Sequence, residues 1–130
     1  MGLANTAYVP YTMGKDYRLV FYETAAGRIP VRDYLRSQSK TVRGVAGWLL
    51  TRLEEEGPDL ERPAADHLGD GIYELRIIVA GDQHRILYFF ADDTIVTTNA
   101  FLKKTRKVPI VEIAKARSAR AAWHAGEAAP

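Results

Sequence analysis

Apolar and aromatic residues follow two different spacings in the first half of the chain. The segment Tyr17–Tyr22 is rich in aromatic and β-branched residues and predicts a first strand. After the turn at Gly27, Pro30 can begin a short helix that ends near Ser37–Ser39. A second helix, ending at Gly57-Pro58, is predicted by apolar residues at three- and four-residue spacing: Val42, Val45, Ala46, Leu49 and Leu53.

The second half of the chain predicts strands up to Pro109. An acidic loop is expected over Glu61–Gly69. Short turns at Ala80–Gln83 and Ala91–Asp93 then join three strands into an antiparallel meander. The strands are Ile72–Val79, His84–Phe90 and Thr94–Phe101, and a final helix runs over Val108–Trp123.

These elements predict an α+β fold. The N-terminal strand and a two-helix hairpin pack on one face of a mainly antiparallel four-stranded sheet, and a helix ends the fold. We expect a loosely ordered arm over residues 1–14, a single domain over 15–123 and a tail over 124–130.

The composition indicates an intracellular protein with a hydrophobic core. Of the 130 residues, 47% are hydrophobic, so we expect one domain with a substantial core. The absence of cysteine excludes disulfides and thiolate metal sites. No segment has the length of a membrane helix or the order of a signal peptide, so we expect a soluble, cytoplasmic protein.

Charge is separated along the chain, although the net charge is only +2. Acidic residues dominate positions 54–70, whereas one acid, Glu112, stands among seven cations further on. Those cations are Lys103, Lys104, Arg106, Lys107, Lys115, Arg117 and Arg120. Such a density favours a polyanion such as nucleic acid, and the alternative is a solvated turn between a strand and a helix.

Strand alternation places further cations near this cluster. Arg76 shares a strand face with Glu74, opposite the apolar residues Leu75 and Ile77. If His84 and its alternate neighbours pack inward, Arg85 joins Arg76 on the open, accessible face. Arg76 then either meets a phosphate or simply pairs with Glu74 or another acid.

Three blocks of sequence occur in a specific order, namely Leu68–Arg76, Arg85–Phe89 and Phe101–Pro109 followed by Glu112–Ala116. Together they resemble the RelE/ParE toxin superfamily, specifically its HigB-like, phage-derived branch, over about residues 17 to 123. The resemblance implies a toxin of a type II toxin–antitoxin pair that cleaves translated mRNA on the ribosome. It also implies a cognate antitoxin, often with a helix-turn-helix.

The resemblance implies site residues as well. Attack by the RNA 2′-hydroxyl needs a base, an acid and cations for the charge on the transition state, but no metal or other cofactor. The implied catalytic cations are Arg85, Arg76, Lys104 and Lys107, and the implied RNA-binding residues are Lys103, Arg106 and Lys115.

The chain departs from the family pattern at two places. Glu74 stands where such enzymes commonly carry a second cation, and Trp123 and His124 stand where a tyrosine is common. A lysine with a pKa lowered by clustered positive charge could supply the base. His124 and His84 are the other candidates for proton transfer.

Each aromatic candidate also has a structural alternative. His84 could be a hydrogen-bonded residue half inside the sheet, and His124 could simply be exposed. Tyr88 could stack on an RNA base, although its strand position favours the core. Trp48 and Trp123 are interpreted as core or interface anchors.

Two other functions remain open for this sequence. A gyrase-inhibiting toxin like ParE would share the fold but bind a protein, and a nucleic-acid-binding module without catalysis would use the same charge. Arg85 beside the Lys103–Lys107 block favours the ribonuclease over the gyrase inhibitor.

Overall fold

A computed structural model describes residues 17–128, so the predicted arm at residues 1–14 lies outside the described residues. The described part contains five strands, three α-helices and one short 3-10 helix, Gly57–Asp59. The strands are β1 (Arg18–Phe21), β2 (Ala65–Gly69), β3 (Ile72–Val79), β4 (Asp82–Ala91) and β5 (Thr94–Leu102). The helices are α1 (Pro30–Arg36), α2 (Lys40–Glu56) and α3 (Ile110–Ala128).

The strands form one sheet in the order β1-β5-β4-β3-β2. β1 pairs in parallel with β5, and every other neighbouring pair is antiparallel. The predicted α+β fold and its meander are therefore confirmed.

The sheet has a fifth strand that the sequence did not predict. We expected an acidic loop over Glu61–Gly69, but β2 pairs with β3 and places Ala65 opposite Leu75 and Asp66 opposite Glu74. β2 is an edge strand with polar residues on both faces, so it lacks the apolar alternation that marks a strand in sequence.

The two faces of the sheet carry separate cores. On one face, α1 and α2 bury a cluster that includes Leu49, Leu53, Leu75 and Ile86. On the other face, a second cluster gathers Ile72, Leu87, Phe89 and Val96 around Ala116 of α3. The face that the sequence analysis treated as open is therefore partly covered.

Local signals set the ends of α2. The Ser39 hydroxyl caps its first turn by accepting a hydrogen bond from the Val42 amide at 3.2 Å. Gly57 ends the helix with a φ of 55°, which favours glycine. The Tyr17 ring lies where a side chain at position 57 would project.

Two ion pairs hold α3 to the turn between β2 and β3. The Asp70 carboxylate accepts from Arg120 at 2.9 Å and from Arg117 at 3.2 Å. The helix runs to Ala128, past the end expected at Trp123. None of the helices in residues 17–128 is long and apolar enough to cross a bilayer.

The two tryptophans have different environments. Trp123 packs partly buried against the core beneath α3, as expected of an anchor. Trp48 is not a core anchor, because 61% of it is exposed and the Arg52 guanidinium lies 5.4 Å from its ring centroid. Its position on the outer side of α2 explains the difference.

Two glycine substitutions test what glycine contributes to stability at the C-terminal end and in the middle of α2. We expect Gly57→Ala to lower the free energy of unfolding by about 1–3 kcal/mol, because the methyl group meets Tyr17 in a strained backbone conformation. Gly47→Ala should instead raise it by about 0.5–1 kcal/mol, since Gly47 is helical with open space around it. Urea denaturation measures both, and equal stabilities would contradict this account of the helix end.

Candidate anion-binding site

The segment between β5 and α3 presents the densest group of exposed cations. Lys104, Arg106 and Lys107 are exposed, and Lys103 is half-buried. The Thr105 hydroxyl donates to the Lys107 carbonyl at 2.6 Å and shapes the turn. We call residues 103–107 the cationic loop.

The cationic loop differs from the cations of α3 in its pairing. Within residues 17–128, no ion pair is formed by Lys103, Lys104, Arg106 or Lys107. Lys115 pairs with Glu112 at 3.3 Å, and Arg117 and Arg120 hold Asp70. The cluster of seven cations seen in the sequence therefore divides into a compensated group on α3 and an uncompensated loop.

Arg85 is buried, which corrects the expectation that it is accessible. Only 4% of it is exposed. Its guanidinium donates to Glu74 at 3.0 Å, to the Gln83 side chain at 3.2 Å and to the His84 carbonyl at 3.1 Å. Burial lowers the pKa of Arg85, and the Glu74 carboxylate opposes that effect. Strand alternation correctly predicted the sheet face on which Arg85 lies. It could not show that this face is covered.

Arg76 forms the ion pair that was the structural alternative for it. Its Nε donates to Glu74 at 3.0 Å, and its terminal nitrogen lies 3.3 Å from Asp66. Its side chain remains 24% exposed. We call Arg76 of β3 and Arg85 of β4 the strand arginines, and Arg76 is the more accessible of these two.

These contacts form one network of alternating charge across three strands. Glu74 is 2% exposed and accepts from both strand arginines, and Asp66 also accepts from Arg62 at 2.8 Å. The hydrogen bond from Arg62 is the main cause of the lowered pKa of Asp66. We call this the sheet network, and it consists of Arg62, Asp66, Arg76, Glu74 and Arg85.

Gln83 connects the sheet network to the cationic loop. Its side-chain oxygen accepts from Arg85, and its backbone carbonyl accepts from the Lys103 amide at 2.7 Å. The loop cations therefore lie beside the buried end of the network.

The two candidate histidines have different places in the fold, and the backbone of His84 lies opposite Leu102, the residue before the cationic loop. His84 is 4% exposed on the α1 face, where its Nδ1 lies 2.6 Å from the Tyr34 hydroxyl. His124 is exposed on α3, with its ring 5.8 Å from that of Phe89. It follows Ile110 by fourteen residues, or about 21 Å of helix. The burial of His84 and the exposure of His124 agree with their structural alternatives, and proton transfer by either histidine stays a prediction.

Tyr88 belongs to the core, as its strand position indicated. It is 1% exposed, and burial raises the pKa of its hydroxyl. It therefore offers no surface on which an RNA base could stack. Among residues 17–128, no group of three or more histidines and acids is arranged to hold a metal ion.

Sequence reasoning missed the acceptors that organise this site. Glu74 was noted as a departure from the family pattern, but its role as a shared acceptor for two arginines was not predicted. The spacing Glu74-x-Arg76 was a usable signal, since residues two apart share a strand face. Asp66 and Gln83 had no such signal, because Asp66 was assigned to a loop and Gln83 to a turn.

Residues 33–121 match the family described as phage-derived protein Gp49-like (DUF891), and the chain belongs to that family. The match covers the elements from α1 into α3, including the sheet network and the cationic loop. No curated protein matches the chain.

The burial of the Arg85–Glu74 pair predicts a large effect on stability. We expect Arg85→Ala to lower the free energy of unfolding by about 3–5 kcal/mol, because Glu74 would remain buried with one cation fewer. The double variant Arg85→Met, Glu74→Leu should recover much of that loss, since it removes both charges of the pair. Urea denaturation of the wild type, Arg85→Ala and the double variant measures these differences in the free energy of unfolding.

Arg62→Ala is the matched control for this experiment. Arg62 belongs to the same network, but its side chain is 72% exposed, so its removal should leave the unfolding curve unchanged within error. Wild-type stability in Arg85→Ala would contradict the assignment of Arg85 as a structural residue.

Proposed function

We propose that this protein is the toxin of a type II toxin–antitoxin system and a ribosome-dependent mRNA endoribonuclease, of the HigB-like branch of the RelE/ParE superfamily. The observation that supports the proposal most directly is the cationic loop, whose four cations form no ion pair within residues 17–128. Uncompensated cations held beside a rigid sheet suit the phosphates of an RNA strand.

The proposed reaction uses the nucleophile that RNA itself carries. The ribose 2′-oxygen attacks the adjacent phosphorus, the bond to the 5′-oxygen breaks, and the products are a 2′,3′-cyclic phosphate and a 5′-hydroxyl. A base takes the proton of the 2′-hydroxyl, and an acid delivers a proton to the departing oxygen. Negative charge grows on the phosphate oxygens, where nearby cations stabilise it most.

The residue roles follow from accessibility. We assign Lys104 and Lys107 to the phosphate at the cleavage position, with Lys103 and Arg106 on flanking phosphates. Lys115, which is 58% exposed beside Glu112, extends this surface along α3. Arg76 is the more exposed of the two arginines that donate to Glu74. Arg85 serves as a positioning residue, because it orients the Glu74 carboxylate that in turn holds Arg76.

A nucleic-acid-binding module without catalysis is the second candidate. One observation favours it, since Glu74 accepts from both strand arginines and so reduces the positive charge available to a transition state. Phosphate contacts from the loop would still supply affinity. Cleavage of translated mRNA separates the two candidates.

Expression without an antitoxin should arrest growth, and primer extension on translated messages should show cuts that vanish when the start codon is removed. We expect the double variant Lys104→Ala, Lys107→Ala to cleave roughly 100-fold more slowly, because it removes two exposed cations at the scissile phosphate. Each single variant should be milder, since neighbouring cations share phosphate contacts.

Lys40→Ala is the control, because Lys40 is an exposed lysine at the start of α2. It should cleave at the wild-type rate. Full activity in the double variant would contradict a catalytic role for the loop. Binding without any cut would favour the second candidate, and cuts in naked RNA would contradict dependence on the ribosome.

We also propose that a cognate antitoxin, expected to carry a helix-turn-helix, covers the cationic loop with an acidic or extended segment. Salt should slow association more than it changes dissociation, because exposed charges steer the encounter. The double variant Lys104→Glu, Lys107→Glu should associate more slowly than wild type, whereas Lys40→Glu should not. Stopped-flow measurements at two ionic strengths check this prediction. Equal association rates for the two variants would contradict antitoxin binding at the cationic loop.

A further inference from the structure

A depression of about 410 Å³ lies at the free edge of β2, away from the cationic loop. Its lining includes Leu60 and Arg62 from the segment before β2, Asp66 and His67 from β2, and Tyr73 from β3. We call it the edge pocket. Its volume lies within the range of roughly 300–1,000 Å³ that small-molecule sites occupy.

Three stacked rings lead from the core to this pocket. The Tyr88 ring is buried, and the Tyr73 ring stacks on it with centroids 5.4 Å apart and an interplanar angle of 18°. The His67 ring stacks on Tyr73 at 4.5 Å and 28°. Phe90 holds the middle ring from the side, at 5.3 Å and 83°. The stack therefore ends at the surface in an exposed, oriented imidazole.

The tautomer of His67 follows from its backbone contact. The Gly71 amide donates to Nε2 at 3.1 Å, so Nε2 must be an acceptor. In a neutral imidazole the proton then lies on Nδ1, which becomes a donor in the plane of the ring. The face of the ring is available for stacking, and its edge is available to an oxygen acceptor.

The polar side of the edge pocket carries one exposed acid, Glu61, and also presents donors. Asp66 has its oxygens engaged, since Oδ1 accepts from the His67 amide and Oδ2 accepts from Arg62 and Arg76. The Arg62 guanidinium bonds Asp66 through one terminal nitrogen, while its side chain is 72% exposed. It has further N–H groups for a phosphate or ribose oxygen.

We propose that the edge pocket binds a base of single-stranded RNA, which stacks on the outer face of His67. The Nδ1–H of His67 and the guanidinium of Arg62 donate to oxygens of the flanking sugar and phosphate. The inference deepens the proposed function and rests on it for the source of the base. A ring face beside two donors suits a nucleotide, which joins a planar base to anionic oxygens.

Fluorescence anisotropy tests the proposal by comparing two labelled single strands of equal length. One is a short intact RNA, and the other carries abasic riboses throughout. Wild type should bind the intact strand about tenfold more tightly. His67→Ala should lose most of that difference, and His67→Phe should retain it because a planar ring remains. Trp48→Ala, which removes an exposed ring elsewhere, should change nothing.

The outcomes separate this proposal from the proposed function. Lys104→Ala, Lys107→Ala should weaken both strands alike, because it removes phosphate contacts. A full preference for the intact strand in His67→Ala would overturn the edge pocket and leave the proposed function in place. If wild type binds neither strand, the cleavage assay on translated messages still decides the proposed function, and the His67 ring signals in NMR during titration with adenosine 5′-monophosphate decide the pocket. Unshifted signals would then overturn it.

Discussion

The buried carboxylate of Glu74 is the constraint on which the rest of the site depends. It lies within the sheet at 2% exposure and accepts from Arg76 and Arg85, both at 3.0 Å. A buried carboxylate requires partners, because desolvation of an unpaired charge costs several kcal/mol. Glu74 therefore engages the two strand arginines in the fold, and the cations available to an anionic partner are those of the cationic loop.

The same division of charge explains how α3 can cover a sheet face beside a basic surface. Asp70 compensates Arg117 and Arg120 at the turn between β2 and β3, and Glu112 compensates Lys115. Asn99 donates to the Glu112 carboxylate at 3.0 Å and joins the start of α3 to β5. The helix is thus held by its own cations near its middle and by the sheet at its start, and the loop before it remains uncompensated within the described residues.

The edge strand β2 contributes one residue to the sheet network and one to the edge pocket. Asp66 and His67 are neighbours in sequence, so their side chains point to opposite faces of the sheet. Asp66 pairs across to Glu74 and completes the sheet network, whereas His67 pairs across to Tyr73 and completes the aromatic stack. A strand with no apolar alternation can therefore carry functional side chains, since neither Asp66 nor His67 is part of the hydrophobic core.

The periodic features of this protein can be read from its amino-acid sequence alone. Spacing of three and four residues located α2, alternation assigned Arg76 and Arg85 to the face opposite Leu75 and Ile86, and the cationic loop was evident from composition. Only the tertiary structure decided that α3 covers part of that face, that Glu74 buries Arg85, and that β2 is a strand. Periodicity reports which residues share a face, whereas burial and ion pairing depend on which distant elements pack against that face, and no local pattern contains that information.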